Sequence, residues 1–161
     1  MDALLIVEDQ AELRRLVMRQ LLGLNLEILE AGDGIEALQI LQDHGPRVRA
    51  ALVDWTLPVL GGAELVRRMG QEHASLPILL CSAHPLTPAQ CRGDNVKGFM
   101  LKPYLRATLR EHLAELWPPF VQTATPLPQA IVSHRPSAPT TDAAHTAGPA
   151  AMPAPEVEED P

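Results

Sequence analysis

Four short apolar runs, each followed by a polar or charged residue, constrain the fold of this chain more than any other feature. The runs are residues 3–7, 50–53, 77–81 and 98–101, which read ALLIV, AALV, PILLC and GFML. Continuous runs of this length indicate strands that are covered on both faces, as in a parallel sheet. A fifth segment, residues 25–30, alternates between apolar and polar residues as a strand would.

Helical patterns separate these strands along the chain. Helices are predicted over residues 10–22, from a cap at Asp33 to about 43, over about 63–69, and from about 105 to 116 before Pro118. The positions predicted to face inward in the first two are Leu13, Leu16, Val17, Leu21, Ile35, Leu38 and Leu41. Strands that alternate with helices predict an α/β fold, a doubly wound five-stranded parallel sheet.

The residues at the strand ends select a functional site. In such sheets, ligands bind outside the carboxyl ends of the strands. Glu8 and Asp9 follow the first run, Asp54 the third strand, Ser82 the fourth and Lys102 the fifth. Three carboxylates at one edge require a cation, and oxygen ligands favour Mg²⁺. With a lysine and a hydroxyl beside them, the set suits transfer of a phosphoryl group onto a carboxylate.

Composition divides the chain into two parts. Of the 16 prolines, 10 lie in residues 118–161, which are poor in aliphatic residues and show no periodicity. This predicts a folded domain over residues 1–117 and a disordered tail over residues 118–161.

Charge and hydropathy exclude several classes of protein. Residues 1–117 hold 15 acidic and 12 basic residues, so no basic surface for direct DNA binding is expected. The sequence has no apolar run long enough for a membrane span and no signal peptide, which makes a cytoplasmic location the expectation. The two cysteines have no metal-ligand spacing.

In this order and at these strand ends, the residues resemble the receiver domain of two-component response regulators. The resemblance covers residues 3 to about 117 and includes Pro58, Gly61-Gly62, Ser82-Ala83 and Lys102-Pro103. It implies a flavodoxin-like receiver fold of the stand-alone type, with Mg²⁺ as cofactor.

The same resemblance implies a role for each site residue. Asp54 would accept a phosphoryl group from a phosphohistidine. Asp9, Asp54 and the backbone carbonyl of Thr56 would bind Mg²⁺, with Glu8 acting mostly through water. Lys102 would neutralise the phosphoryl group. Ser82 would move toward it, and Phe99 would follow as the switch aromatic. A cis peptide bond before Pro103 would orient Lys102.

One region departs from the family. Between the fourth and fifth strands, where receivers have their fourth helix, residues 84–98 contain two prolines and two glycines and show no long amphipathic face. We expect a short or irregular fourth helix here, of one or two turns after Thr87. This makes the usual output surface uncertain, although the acidic pocket does not depend on it.

Two functions from different classes remain open at this point. The first is a receiver that takes phosphate from a sensor histidine kinase or a histidine phosphotransfer protein and signals to a downstream protein target, as a monomer or weak dimer. Apart from its own phosphorylation and slow autodephosphorylation it would not be an enzyme. The alternative is a scaffold or interaction protein that no longer switches. An aspartyl-phosphate phosphatase is disfavoured, because Thr56 stands where such enzymes need a second aspartate.

Overall fold

The computed structural model describes residues 1–118, which form a five-stranded parallel sheet with helices on both faces. The strands are β1 (Ala3–Val7), β2 (Glu27–Ala31), β3 (Val48–Asp54), β4 (Ile78–Ser82) and β5 (Val96–Leu101), in the spatial order β2-β1-β3-β4-β5. All neighbouring strands pair in parallel. The predicted fold class is therefore confirmed.

The helices are α1 (Ala11–Gln20), α2 (Gly34–His44), α3 (Gly62–Glu72) and α4 (Arg106–Leu116), and a short 3-10 turn (Gly45–Arg47) follows α2. Asp33 caps α2 as predicted, because its carboxylate accepts hydrogen bonds from the backbone N–H groups of Ile35 and Glu36 at 2.8 and 2.9 Å.

The core has two layers, one on each face of the sheet. Alternate residues of β1 point to opposite faces, so Leu5 packs with α2 and α3 while Leu4 packs with α1 and α4. Leu113 and Trp117 are buried in the second layer, so the last helix completes the core on this face.

Two predicted inward positions are wrong. Ile35 is 55% exposed and Leu16 is 48% exposed. The buried face of α2 instead begins at Gly34 and continues through Ala37 and Leu41, which follows the helical repeat of 3.6 residues. The first two buried positions of α2 hold the small residues Gly34 and Ala37, so a search for large apolar side chains does not find them.

The segment between β4 and β5 contains no helix. Residues 88–91 form a single turn, closed by hydrogen bonds from the backbone N–H groups of Gln90 and Cys91 to the Thr87 carbonyl. The expected irregularity of this region is confirmed. The predicted disordered tail falls almost entirely outside the described residues, and the boundary at residue 117 stays a prediction.

Candidate functional site

Parallel strands bring the predicted site residues to one edge of the sheet. Asp54 and Ser82 are the last residues of β3 and β4. Glu8 and Asp9 directly follow β1, and Lys102 directly follows β5. Glu8, Asp54 and Ser82 are buried, although each carries a polar side chain. Buried polar groups require partners, so the contacts among these residues determine the chemistry.

Lys102 is the centre of this group. Its Nζ donates to Oε2 of Glu8 and, at 2.9 Å, to Oδ2 of Asp54. The side chains of Glu8 and Asp54 are 6% and 8% exposed, and that of Lys102 is 17% exposed. A single ammonium therefore bridges two shielded carboxylates, where water screens the attraction weakly.

Burial and the contacts between Lys102 and the two carboxylates determine the pKa values of Glu8 and Lys102. Burial raises the pKa of Glu8, and the neighbouring Asp54 raises it further, while Lys102 lowers it without cancelling the effect. Burial lowers the pKa of Lys102, but its hydrogen bonds to Asp54 and Glu8 outweigh this, so the pKa of Lys102 is raised. Lys102 is thus held in its charged form.

Asp9 completes a set of three carboxylates. Single oxygens of Glu8, Asp9 and Asp54 lie within 4.8 Å of one another, and Asp9 is exposed to solvent. Among residues 1–118, Lys102 carries the only ammonium that bonds to these carboxylates, so this part of the chain has an excess of negative charge and hard oxygen donors at the site. This donor set fits a divalent cation that prefers oxygen ligands and keeps part of its water shell.

A cavity of about 300 Å³ opens beside these groups, and Asp9, Asp54, Thr56, His84 and Lys102 contribute to its lining. A volume of this size has room for a hydrated ion and a phosphoryl group, since a water molecule occupies about 30 Å³.

The two oxygens of Asp54 have different partners. Oδ1 accepts a hydrogen bond from the backbone N–H of Thr56 at 3.1 Å, and Oδ2 accepts from Lys102. The first donor is fixed in the backbone, whereas the second is at the end of a flexible side chain. Whether the Thr56 carbonyl binds a metal remains a prediction.

Ser82 and Phe99 lie where the sequence places them. Oγ of Ser82 accepts a hydrogen bond from the backbone N–H of His84 at 3.1 Å. Phe99 is half-buried against the core layer on the α3 face and pairs in register with Leu80. The peptide bond between Lys102 and Pro103 is cis, as the resemblance implies. The switching roles of Ser82 and Phe99 remain predictions.

Sequence reasoning missed Arg14, whose guanidinium holds the backbone of the two acidic residues that follow β1. Its guanidinium donates to the backbone carbonyl of Glu8 at 2.5 Å and to that of Asp9 at 3.3 Å, and it pairs with Glu30 at 3.2 Å. Arg14 and Arg15 are adjacent in the sequence, and no pattern distinguishes the one that turns toward the site.

Sequence reasoning also missed the close approach at Gly62. A Cβ atom there would lie 2.5 Å from the carbonyl oxygen of Trp55 and 2.8 Å from that of Asp54. Glycine is required because the first turn of α3 packs directly on the backbone of Asp54 and Trp55.

A comparison with protein families matches residues 4–114 to the response regulator receiver domain. The chain belongs to this family. The sensor protein TorS of Escherichia coli is 34% identical over 113 residues, which are 69% of this chain but only 12% of TorS. A chemotaxis protein CheY homologue of Campylobacter jejuni is 28% identical over 121 residues, covering 70% of this chain and 90% of that protein.

Solved structures agree with this assignment. Chemotaxis protein CheY4 of Vibrio cholerae aligns with a TM-score of 0.64 and 28% identity, over 72% of this chain and 98% of that one. The response regulator TrrA of Thermotoga maritima, solved in complex with Mg²⁺ and BeF, aligns with a TM-score of 0.65 at 22% identity, over 72% of this chain and 99% of TrrA. At this level of identity, the likeness to TrrA supports the fold alone.

No helix within residues 1–118 is long and apolar enough to cross a membrane.

Proposed function

We propose that this receiver accepts a phosphoryl group on Asp54 from a phosphohistidine of a sensor histidine kinase or a histidine phosphotransfer protein, and signals through protein contacts. The observation that carries the proposal is the bridge from Lys102 to both Glu8 and Asp54, with Asp9 beside it. A purely structural ion pair needs one carboxylate per ammonium. The excess of carboxylates here fits a bound divalent cation, which would also offset the charge of a transferred phosphoryl group.

In the proposed step, Oδ2 of Asp54 attacks phosphorus, because only Lys102 has to move to free this oxygen. A P–O bond forms as the P–N bond of the phosphohistidine breaks, and the imidazole leaves with the electron pair. Lys102 follows the transferred group and neutralises part of its charge. The hydroxyl of Ser82 would donate its hydrogen to a phosphoryl oxygen, because its oxygen accepts from the backbone N–H of His84.

Mg²⁺ is the proposed cofactor, and when bound it would supply positive charge that offsets the repulsion between the carboxylates and the incoming phosphoryl group. Asp9 and Asp54 would hold it, with Glu8 acting through water. The chain would act on no other substrate. Its chemistry would be limited to its own phosphorylation and slow dephosphorylation.

Intact-mass measurement after incubation with acetyl phosphate and Mg²⁺ tests the proposal. We expect a mass increase of one phosphoryl group in the full chain and none in Asp54→Asn. Asp43→Asn, which changes an exposed aspartate of α2, serves as the matched control and should label like the original protein. Equal labelling of Asp54→Asn would overturn the assignment.

A specific observation favours the second candidate, a scaffold that has lost phosphorylation-dependent switching: no helix lies between β4 and β5 in the described residues. NMR amide shifts with Mg²⁺ and beryllofluoride distinguish the two. A switching receiver shows changes that spread from Asp54 through Ser82 to Phe99. A scaffold shows changes only around the acidic cluster.

A further inference from the structure

A groove of about 280 Å³ lies between α3 and the turn that precedes β5. The α3 side carries Ala63 and Gly70 and continues to Ala74 just past the helix. The opposite wall is formed by residues 92–95. Because this turn precedes β5, the groove reaches the amino edge of the sheet, away from Asp54. It also lies where the structure has no helix between β4 and β5.

The groove contains an amide with unmet hydrogen-bonding capacity. Asn95 is 1% exposed, and neither its Oδ1 nor its Nδ2 has a hydrogen-bond partner among the described residues. Its Oδ1 would lie 3.5 Å from a Cβ at Gly70 and 3.4 Å from one at Gly93, so two residues without side chains flank this oxygen. A buried polar group without a partner is unfavourable, and a ligand that supplies both a donor and an acceptor relieves this.

The Asn95 amide and the length of the α3 wall indicate what kind of ligand could supply the donor and the acceptor. A side-chain amide presents one acceptor and one donor next to each other. A residue in an extended peptide likewise presents its N–H and C=O toward one side of the strand. From position 63 to position 74 the α3 wall spans roughly 16 Å at the helical rise per residue, which is the length of about five extended residues.

The charges beside the groove favour an acidic occupant. Arg67 and Arg92 line it, with Asp94 as the single carboxylate. Arg67 is already held by Glu64 at 2.7 Å, whereas the exposed Arg92 and Asp94 form no ion pair within residues 1–118, so the lining carries two guanidiniums against one carboxylate. Arg92 is therefore the guanidinium that is available to a carboxylate of a ligand.

We propose that this groove, which we call the α3 groove, binds an extended acidic peptide segment of a partner protein. The Asn95 amide, whose polar atoms are buried in the free chain, turns toward the groove to pair with a main-chain N–H and C=O of that segment, and a carboxylate of the segment pairs with Arg92. The surface is distinct from the acidic pocket and does not depend on phosphorylation of Asp54. It gives the chain a docking surface at the place where the usual helix is missing.

Selection of a phage-displayed library of random heptapeptides on the full chain tests this proposal. We expect acidic peptides to be enriched, and a synthetic copy of an enriched peptide to bind with a Kd measurable by fluorescence anisotropy. Asn95→Leu keeps the shape of the side chain and removes its amide, and Arg92→Glu reverses the charge. Each change should weaken binding at least about tenfold.

Arg15→Glu is the matched control, since Arg15 is exposed on α1 at the opposite face of the sheet and should leave peptide binding unchanged. Circular dichroism checks that each variant is folded. Arg92→Glu alters an exposed side chain and keeps the test decisive if Asn95→Leu fails to fold. Asp54→Asn should bind the peptide like the original chain, which separates this result from the fate of the phosphorylation proposal.

Three outcomes would overturn the proposal. One is a library that yields no enriched acidic sequence, as expected of a groove filled only by water. Another is an enriched peptide whose affinity is the same for Asn95→Leu and Arg92→Glu as for the original chain. The third is a doubling of the solution mass that Arg92→Glu abolishes, which would make a second copy of the chain the occupant.

Discussion

At the scale of single residues, the site is governed by an imbalance of charge. Within residues 1–118, Lys102 is the one cation that bonds to the carboxylates of Glu8 and Asp54, and Asp9 adds a third negative charge nearby. Such clusters lower stability in the free protein and favour binding of cations. The pKa of Glu8 reports this balance directly, because burial and Asp54 raise it while Lys102 lowers it.

Replacing Lys102 by Met should raise the pKa of Glu8 above its already raised value, since the attraction is lost and the burial remains. The measurement is the pH dependence of the Glu8 carboxyl ¹³C shift in magnesium-free buffer. The folded-state pKa of Glu8 lies above 4.5. As the pH falls, Glu8 is therefore protonated in the folded protein before it is protonated in the unfolded chain. The unfavourable contribution of Glu8 to stability is therefore present at neutral pH and is lost between the folded pKa and about 4.5.

Lys97→Met is the control for this titration, because Lys97 is exposed and its ammonium bonds the Asp94 carbonyl, outside the site. It should leave the pKa of Glu8 unchanged. A pKa of Glu8 that stays constant or falls in Lys102→Met would contradict the bridge seen in the structure.

Adjacent glycines give a second prediction at this scale. Gly62→Ala should destabilise the protein by about 1–3 kcal/mol and slow labelling of Asp54, because the added Cβ would press on the carbonyl oxygens of Trp55 and Asp54. Gly61→Ala should be neutral, since Gly61 has a φ of −62° and no atom within 4 Å of an added Cβ. Urea unfolding and acetyl phosphate labelling measure both effects, and equal behaviour of the two variants would rule out this account.

At the scale of elements, helix α2 owes its defined start to Asp33, whose carboxylate accepts two backbone N–H groups. Asp33→Ala should lower the free energy of unfolding by about 1 kcal/mol. Asp43→Ala removes an exposed aspartate near the carboxyl end of the same helix and should be neutral or slightly stabilising, because a negative charge there opposes the helix dipole. Urea titration distinguishes the two, and an equal loss in both would mean that the cap contributes nothing.

The strands and the acidic site were predictable for the same reason. A buried parallel strand requires continuous apolar residues, so its end is visible where Asp54 or Ser82 begins the polar stretch. Leu38 and Leu41 of α2 pack inward as apolarity predicts, whereas the buried small residues Gly34 and Ala37 were not predictable in this way and the apolar Ile35 is exposed. Asn95 was not predictable from the sequence either. Only the packing of α3 against the turn that precedes β5 reveals that its amide has no hydrogen-bond partner within residues 1–118.

At the scale of the whole molecule, the two faces of the sheet are unequal. On one face, α1 and α4 pack over Leu4 and Leu52. On the other, α2 and α3 pack over Leu5 and Leu80, and an irregular segment takes the place of a further helix. The acidic edge joins both faces, because β1, β3, β4 and β5 each end there. A ligand held by Asp9 and Asp54 would therefore link β1 and β3, two neighbouring strands in the interior of the sheet.

Mg²⁺ should consequently stabilise the whole fold rather than one loop. A ligand that binds only the folded state adds about 1.4 kcal/mol to the free energy of unfolding when its concentration is ten times its Kd. Urea unfolding followed by tryptophan fluorescence at increasing Mg²⁺ measures this, since Trp55 is adjacent to Asp54. Asp9→Asn should be more stable than the original chain without Mg²⁺, because a repelling carboxylate is removed, and should gain less when Mg²⁺ is added. If Mg²⁺ stabilised both proteins equally, Asp9 would not be a ligand and the excess of negative charge at the edge would need another explanation.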